Sequence, residues 1–215
     1  MNVLKKPVQP TAPEVAYLWL RDAITSLPWD EEAFLSENAV AEASGTSRTP
    51  VREALLRLEA EGLLRRVPRR GAYVPALSEK DIDAMMEARR VIEEWAVRKV
   101  TGSSYSTRNL EDLLARQSEI ISDPVQFIQC DIDFHKDIVT AAGNPVLAEV
   151  YGSLRYKQLR MGVRAIRDSQ GRSDHVLAEH RSIVEAIQSG DPLQAAQATG
   201  EHLASTLAAL KAPGS

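Results

Sequence analysis

Residues 47–55 read SRTPVREAL. This stretch predicts a helix, and the segments on either side of it can be interpreted relative to that helix. Small hydroxyl residues at the start of this stretch can cap the free N–H groups of a helix, and Pro50 suits its first turn. Apolar residues then recur at helical spacing and predict a core-facing side, namely Val51, Leu55 and Leu58. Arg48 and Arg52 are four residues apart, so they share the outward side at the start of the same helix.

The segments on either side of this helix complete a small domain. The predicted elements are helices over 15–27 and 37–43 and a two-stranded hairpin formed by residues 63–67 and 72–74. Three helices followed by a hairpin predict a winged helix-turn-helix over residues 14–76. Residues 1–13 contain three prolines and little apolar content, and they are predicted to be a mobile tail.

The remainder of the chain, residues 77–215, has helical patterning interrupted by Gly, Pro and Asn. The predicted helices span residues 78–101, 107–122, 124–142, 144–167, 173–189 and 191–211. Because no strand pattern is present, this part is predicted to form an antiparallel six-helix bundle. The fold class is therefore mainly α, a winged helix-turn-helix with a small hairpin wing plus a helical bundle.

Composition excludes several classes of protein. The single cysteine, Cys130, excludes a disulfide framework and a cysteine-rich zinc module. No apolar run approaches the 18 or so residues needed to cross a membrane, and the N-terminal residues lack the apolar core of a signal peptide. We therefore expect a soluble, cytoplasmic protein without a membrane partner.

Arginines are concentrated in the N-terminal domain, although the whole chain carries a formal net charge of −4. Residues 48–73 hold seven arginines against three glutamates, and a local positive charge of this kind suits phosphate. The residues predicted to contact DNA are Ser47, Arg48, Thr49, Arg52, Arg69, Arg70 and Gly71. Those at the helix start can read guanine edges and hold phosphates, and those at the hairpin tip can reach the minor groove or the backbone. The alternative is a solvated helix whose arginines pair with glutamates.

Three histidines and one aspartate fall on apolar stripes of three predicted helices. Asp131 and His135 are four residues apart on one stripe, and His180 and His202 lie within two others. Polar groups that face a core are costly unless something satisfies them, and a His₃Asp set suits zinc or another divalent ion. The fourth histidine, His175, lies outside the stripes, and Cys130 is rotated away from the ligand side.

The N-terminal residues resemble the GntR family of bacterial transcription regulators. The similar segments are residues 34–41, 47–55, 58–64 and 70–74, of which SRTPVREAL is the most specific. Residues 27–32 depart from the family, which has a Pro-Gly turn there. The resemblance implies a winged helix-turn-helix that binds operator DNA.

The C-terminal residues resemble the FCD-type effector domain of the FadR subfamily, in its shorter VanR-like variety, at residues 131–135, 142–144, 179–180, 186–187, 190–191 and 202. In that subfamily an aspartate and three histidines bind a metal, which implies Asp131, His135, His180 and His202. Residues 89–93 resemble an Arg-x-x-Leu-Glu segment, with isoleucine in place of leucine, and imply that Arg89 binds an organic-acid effector.

Together these features predict a homodimeric repressor that binds a pseudo-palindromic, double-stranded DNA operator. A small organic acid and a divalent ion, zinc first with nickel or manganese as alternatives, would control its operator affinity. Two other functions stay open, namely a metal-dependent hydrolase that uses the His₃Asp site and a direct metal sensor. Arg155, Tyr156 and Arg160 could line the effector pocket or lie on a solvated face.

Overall fold

The computed structural model describes residues 10–27, 31–68 and 70–212, and the chain divides into two compact units, Met1–Ala76 and Leu77–Ser215. The described elements of the first unit are α1 (Ala12–Ser26), β1 (Ala33–Leu35), α2 (Glu37–Ser44), α3 (Arg48–Ala60), β2 (Arg65–Val67) and β3 (Gly71–Val74). The helix predicted from SRTPVREAL is confirmed as α3. Helix α1 begins within the segment predicted as a tail, because Pro13 lies in its first turn, where a missing N–H has no consequence.

The core of the first unit forms where α1 packs against α3. Leu20 and Ile24 of α1 and Val51 and Leu58 of α3 are fully or almost fully buried there. Tyr17 contributes its ring to this core and donates its hydroxyl to Glu61 Oε2 over 2.9 Å. The third helix is therefore fixed from its inner side, which leaves its N-terminal, polar side facing outward.

The wing is a three-stranded antiparallel sheet of order β1-β3-β2. The predicted hairpin corresponds to β2 and β3, which pair with Arg66 opposite Ala72. The third strand, β1, pairs with β3 in a register that places Phe34 opposite Tyr73. It was not predicted, because three residues are too few to establish an alternating pattern.

The second unit is all-helical in the residues that the structure describes. Its helices are α4 (Glu79–Val100), α5 (Arg108–Glu119), α6 (Pro124–Ala141), α7 (Pro145–Ser153), α8 (Arg155–Asp168), α9 (Arg172–Ser189) and α10 (Pro192–Lys211). Asp123, Asn144 and Asp191 cap α6, α7 and α10, and each side chain accepts two backbone N–H groups. A proline follows each of these caps, which confirms the breaks that the sequence predicts there.

The mainly helical fold class is confirmed, but the described residues of the second unit form seven helices instead of the predicted six. The single helix predicted over 144–167 is wrong, because α7 and α8 meet at Leu154. Gly152 and Ser153 precede this junction, and the Ser153 hydroxyl donates to the Val150 carbonyl oxygen over 2.6 Å. Gly and Ser pairs of this kind weaken a helix and are frequent sites of kinks.

The core of the second unit is formed mainly by α4, α6, α9 and α10. Each of these four helices contributes a side chain that is exposed by 1% or less, namely Val97 of α4, Phe134 of α6, Ile183 of α9 and Ala195 of α10. No helix within the described ranges is long and apolar enough to cross a membrane.

Gly71 is expected to be essential for the wing. Its φ is +130°, and a Cβ atom built on it would lie 2.0 Å from the Leu35 carbonyl oxygen, so β1 and β3 could not pair as they do. Gly71→Ala should lower the free energy of unfolding by about 3 kcal/mol. Gly45 is the matched control, since its φ is +65° but its Cβ position is open. Gly45→Ala should cost about 1 kcal/mol. Equal losses in denaturant unfolding of the two variants would contradict this account.

Candidate functional site

The structure brings together the four side chains that the sequence singles out as metal ligands. Asp131 and His135 come from α6, His180 from α9 and His202 from α10. One ligand atom of each lies within 4.8 Å of the others, and all four residues are buried. The i and i+4 spacing on α6 places two ligands on one face, and helix packing supplies the other two.

Each of the three imidazoles is held from outside the cluster through its Nδ1 atom. The partners are Glu93 Oε2 for His135 at 2.9 Å, Gln117 Oε1 for His180 at 3.1 Å and Glu179 Oε2 for His202 at 2.8 Å. All three partners are acceptors, so each neutral ring carries its proton on Nδ1 and presents an unprotonated Nε2 to the centre. Phe134 stacks on His180, with ring centroids 4.3 Å apart and planes 4° apart, and fixes that ring further.

The orientation of the Gln117 amide settles which nitrogen of His180 is protonated. Gln117 Nε2 donates to the Phe127 carbonyl oxygen over 3.1 Å, so its Oε1 must face His180 Nδ1. His180 Nε2 is then unprotonated and lies 3.2 Å from Asp131 Oδ1. This nitrogen is buried and makes no hydrogen bond within the described residues. Two electron-rich atoms face each other here, which requires a positive charge between them.

The same argument applies to His135 and His202. Their Nε2 atoms are 3.1 Å apart, and each ring uses its Nδ1 proton toward a glutamate. Two bare nitrogens at this distance repel each other unless a proton or a metal ion lies between them.

Protonation is disfavoured at two of the three rings. Burial lowers the pKa of His180 to about 3, against the raising influence of Asp131. Burial also lowers the pKa of His202 below its usual value, although Glu179 acts in the opposite direction. Burial works against ionisation of Asp131, but His180, His135 and Arg89 hold its pKa below the usual range. Neutral imidazole and ionised carboxylate are the forms that bind a metal ion.

The spacing of two facing pairs of donor atoms is compatible with a small divalent ion. With metal–ligand bonds of about 2.0–2.1 Å, the ligand atoms of a tetrahedral site stand about 3.3 Å apart. The separations of 3.1 Å and 3.2 Å between the facing pairs are close to this value. The cluster can therefore hold a metal ion.

Glu93 connects the cluster to its surroundings and was not identified from the sequence. Its Oε1 accepts from Arg89 Nε over 2.7 Å and from the Tyr151 hydroxyl over 2.8 Å, while its Oε2 faces His135. Burial alone would raise the pKa of Glu93, but Arg89 and His135 hold it below its usual range. Glu93 lies four residues after Arg89 on α4, which is the signal that could have linked the two.

Arg172 and Glu179 form a second support that the sequence did not reveal. The Arg172 guanidinium donates to both carboxylate oxygens of Glu179, over 2.9 Å and 3.1 Å, and to the hydroxyls of Ser205 and Thr206. Burial works against ionisation of Glu179, yet His202, Arg172 and Ser205 lower its pKa to about 2. His202 is thereby held by a charged acceptor that is itself fixed between α9 and α10.

A cavity of about 30 Å³ adjoins the cluster. Its polar lining includes Asp131, Arg89, Gln158 and Arg172, and its apolar lining includes the flexible side chain of Met85. Arg89 is 4% exposed, and its Nη2 atom has no hydrogen-bond partner in the described part of the chain. The structure thus places Arg89 beside the cluster with a free donor.

The residues of α8 whose role was left open are distributed differently. Arg155 is partly exposed and donates to Asp133 Oδ1 over 3.4 Å, and Arg160 is buried. The described residues that line the cavity include Gln158 and other residues of α8, but they include neither Arg155 nor Arg160. The Tyr156 side chain lies outside the described part of the structure.

The predicted DNA-contacting residues of α3 lie on an exposed face. Arg48 and Arg52 are 58% and 57% exposed, and both contact the carboxylate of Glu37 on α2, over 3.1 Å and 2.9 Å. Hydrogen bonding from Arg52 and then Arg48 lowers the pKa of Glu37, so the carboxylate is ionised. The pairing with a glutamate that the sequence left as an alternative is therefore present, and it holds the two arginines side by side.

The remaining predicted contacts fall at the helix start and the wing. Ser47 and Thr49 are exposed, and Ser47 precedes α3 without making a side-chain capping bond to the described helix. Arg70 is exposed in the turn, whereas Gly71 is buried against β1 for the steric reason given above. Arg69 lies outside the described residues.

Comparisons with known proteins agree with this architecture. A family model described as "Bacterial regulatory proteins, gntR family" matches residues 13–74, and a model of the FCD domain matches residues 84–205. The chain is 31% identical over 176 residues to a "Probable D-xylose utilization operon transcriptional repressor" of Paenarthrobacter nicotinovorans, with 80% of this chain and 77% of the relative covered. It is 28% identical to the gluconate operon transcriptional repressor of Bacillus subtilis (strain 168), with 84% and 77% covered.

Solved structures show the same fold. E. coli McbR/YncC aligns with a TM-score of 0.63 at 20% identity and covers 94% of this chain and 98% of its own. A GntR transcriptional regulator from Rhodococcus sp. RHA1 aligns with a TM-score of 0.63 at 24% identity, with 93% and 96% covered.

The low pKa of His180 predicts how metal-free protein responds to acid. Its folded-state pKa of about 3 lies below the ordinary value of 6.5, so the unfolded chain binds a proton that the folded chain does not. The free energy of unfolding should fall as the pH drops below about 6.5, by about 1.4 kcal/mol per pH unit at most for this histidine. Denaturant unfolding between pH 7 and pH 5 measures the slope, and His180→Gln should make it shallower. An identical slope in the variant would contradict the assignment.

Proposed function

Because the chain belongs to the GntR family of bacterial regulatory proteins and carries an FCD domain, we propose that it is a repressor controlled by a small carboxylate bound beside a divalent ion. As a member of this family it is a DNA-binding transcription regulator and not an enzyme, which removes the hydrolase alternative. The observation that carries the rest of the proposal is the buried cluster with Arg89 beside it.

Several relatives are named as repressors, and some of the operons they control are named after carboxylates, whereas that of the Paenarthrobacter relative is named after the sugar D-xylose. The names of similar proteins include gluconate operon repressors of two Bacillus species and a galactonate operon repressor of Escherichia coli. Gluconate and galactonate are both carboxylates. We carry over repression and a carboxylate effector from these names as part of the proposal.

We assign zinc to the cluster, with nickel and manganese as the alternatives. Three imidazole nitrogens and one carboxylate oxygen are a common zinc donor set, and imidazole-rich sites also suit nickel. The outer acceptors Glu93, Gln117 and Glu179 keep the rings in the tautomer that such an ion requires.

Charge explains why the effector should be an anion. The buried network holds three carboxylates, on Glu93, Asp131 and Glu179, and two guanidiniums, on Arg89 and Arg172. A divalent ion changes its net charge from one negative to one positive. A carboxylate that reaches both the ion and Arg89 Nη2 would neutralise this charge and satisfy the free donor.

Operator recognition needs more than one winged helix-turn-helix domain. A single winged helix contacts a half-site of a few base pairs, so useful specificity requires two chains on a pseudo-palindrome. We propose that the helical unit forms the dimer and that the effector changes operator affinity by favouring one arrangement of the dimer.

Arg48→Ala and Arg52→Ala should each weaken specific operator binding by about 1–3 kcal/mol and relax sequence preference. Operator affinity can be measured by titrating the protein into an operator duplex that has been selected from a random library. The same titration should give a stoichiometry of two chains per duplex. Arg108→Ala removes the same charge from α5 and should change affinity little. Loss of both Arg48 and Arg52 with no change in operator affinity would show that α3 is not the recognition helix.

Purified protein should contain about one divalent ion per chain. His135→Ala, His180→Ala and His202→Ala should each reduce the ion content, because each removes a ligand atom, whereas the exposed His175→Ala should not. Gln117→Leu leaves every ligand in place but frees the His180 ring, so metal affinity should fall about 10-fold to 100-fold. Elemental analysis measures the content. Wild-type protein that stays metal-free after expression with added zinc would rule the site out.

Arg89→Lys should abolish most of the effector's influence on operator binding while leaving the metal content unchanged. Lysine can keep the ion pair with Glu93 but cannot also present the second arm of a guanidinium. Arg90→Lys on the exposed side of α4 is the matched control. Operator affinity is measured with and without the carboxylate that most raises the thermal unfolding temperature in a screen. If Arg89→Lys responds as fully as wild type, Arg89 does not bind the effector, and a response to zinc alone would favour the direct metal sensor.

A further inference from the structure

Gln158 of α8 has a buried donor with nothing to bind. The residue is 5% exposed, and its Nε2 atom has no hydrogen-bond partner among the residues that the structure describes. Gln158 lines the same cavity as Arg89 and Asp131. An amide N–H that is removed from water and left unpaired destabilises the protein, so an acceptor is expected at this position when the site is in use.

We propose that Gln158 determines the specificity of the effector site by donating to an uncharged oxygen of the ligand, so that the effector is a hydroxy- or oxo-carboxylate. This inference rests on the proposed function, because it concerns the same cavity and the same ligand. Gln158 would be a second recognition group beside Arg89, and carboxylates without a hydroxyl or oxo group would not be the preferred effectors.

Comparison with two other glutamines shows what sets Gln158 apart. Gln117 has both ends of its amide engaged, by Phe127 and His180. Gln129 also has a buried Nε2 without a partner in the described residues, but it does not line the cavity. Gln158 alone of these three combines a free amide donor with a cavity that already contains a free arginine donor.

The other residues that line the cavity limit which ligand groups can accept a hydrogen bond from the Gln158 amide. Both Nη atoms of Arg172 already donate to Glu179, Ser205 and Thr206, and the charge of Arg172 is paired with Glu179. A second carboxylate facing the neutral amide of Gln158 would remain an uncompensated buried charge. A hydroxyl or carbonyl oxygen carries no such penalty and accepts the amide proton directly.

The size of the cavity favours a compact ligand. Its volume of about 30 Å³ has room for about two water molecules. Met85 and Met161 form part of its wall, and methionine side chains rearrange readily to admit a larger group. An acid of three or four carbon atoms could enter with such an adjustment.

The test uses full-length, zinc-loaded protein and three matched acids, propanoate, 2-hydroxypropanoate and 3-hydroxypropanoate. Binding of each acid is measured by calorimetric titration, and its effect on operator affinity is measured in parallel. Wild type should bind at least one hydroxy acid about tenfold more tightly than propanoate. Gln158→Met has a similar length but no donor, and it should reduce this preference to about twofold or less. Gln129→Met is the matched control and should retain the wild-type preference.

The outcomes separate this inference from the proposed function. If a hydroxyl is preferred but Gln158→Met keeps the full preference, chelation by the metal ion explains it and the role of Gln158 is refuted. If wild type binds all three acids equally, the effector class is wrong while the carboxylate site stands. If wild type binds none of them and no other small carboxylate alters operator affinity, the proposed function fails, and this inference fails with it.

Discussion

The second unit depends on keeping three buried imidazoles in one tautomer. Gln117 and Glu179 each accept a hydrogen bond from an Nδ1 atom, and Glu93 Oε2 lies 2.9 Å from Nδ1 of His135, so the Nε2 atoms of the three histidines converge on one another. Together with Asp131 they form a concentrated region of electron density in a core that excludes water. Such a region is costly unless a cation occupies its centre. A cation bound there would tie the helices that supply the ligands to one another, in addition to their apolar packing.

The outer acceptors also connect the cluster to the groups that would recognise a ligand. One carboxylate, that of Glu93, contacts both Arg89 and His135, so the position of the guanidinium and the position of a metal ligand cannot change independently. Arg89 lies on α4, and His135 lies on α6, which packs against it. A ligand that draws Arg89 toward itself must rearrange this shared hydrogen bond. Such a shared contact couples two binding events in both directions.

Much of the architecture and the metal-ligand set could be predicted because the residues that determine them recur every three or four positions, which is the spacing of one face of a helix. The recognition helix follows from SRTPVREAL, and Asp131 and His135 fall four residues apart on an apolar stripe. Gln117, Glu179 and Gln158 could not be predicted, since their roles arise only when different helices pack together. The strand Ala33–Leu35 was too short to detect, and the break at Leu154 has only two small residues before it. Glu37 was missed because its partners lie 11 and 15 residues away on the next helix.

We propose that the converging nitrogens bind a metal ion instead of sharing a proton. A crystal structure of zinc-loaded protein, with diffraction recorded on both sides of the zinc absorption edge, tests it directly. We expect one anomalous peak per chain, about 2.0–2.1 Å from the Nε2 atoms of His135, His180 and His202 and near a carboxylate oxygen of Asp131. A structure without such a peak, with His135 and His202 still in direct contact through Nε2, would contradict it.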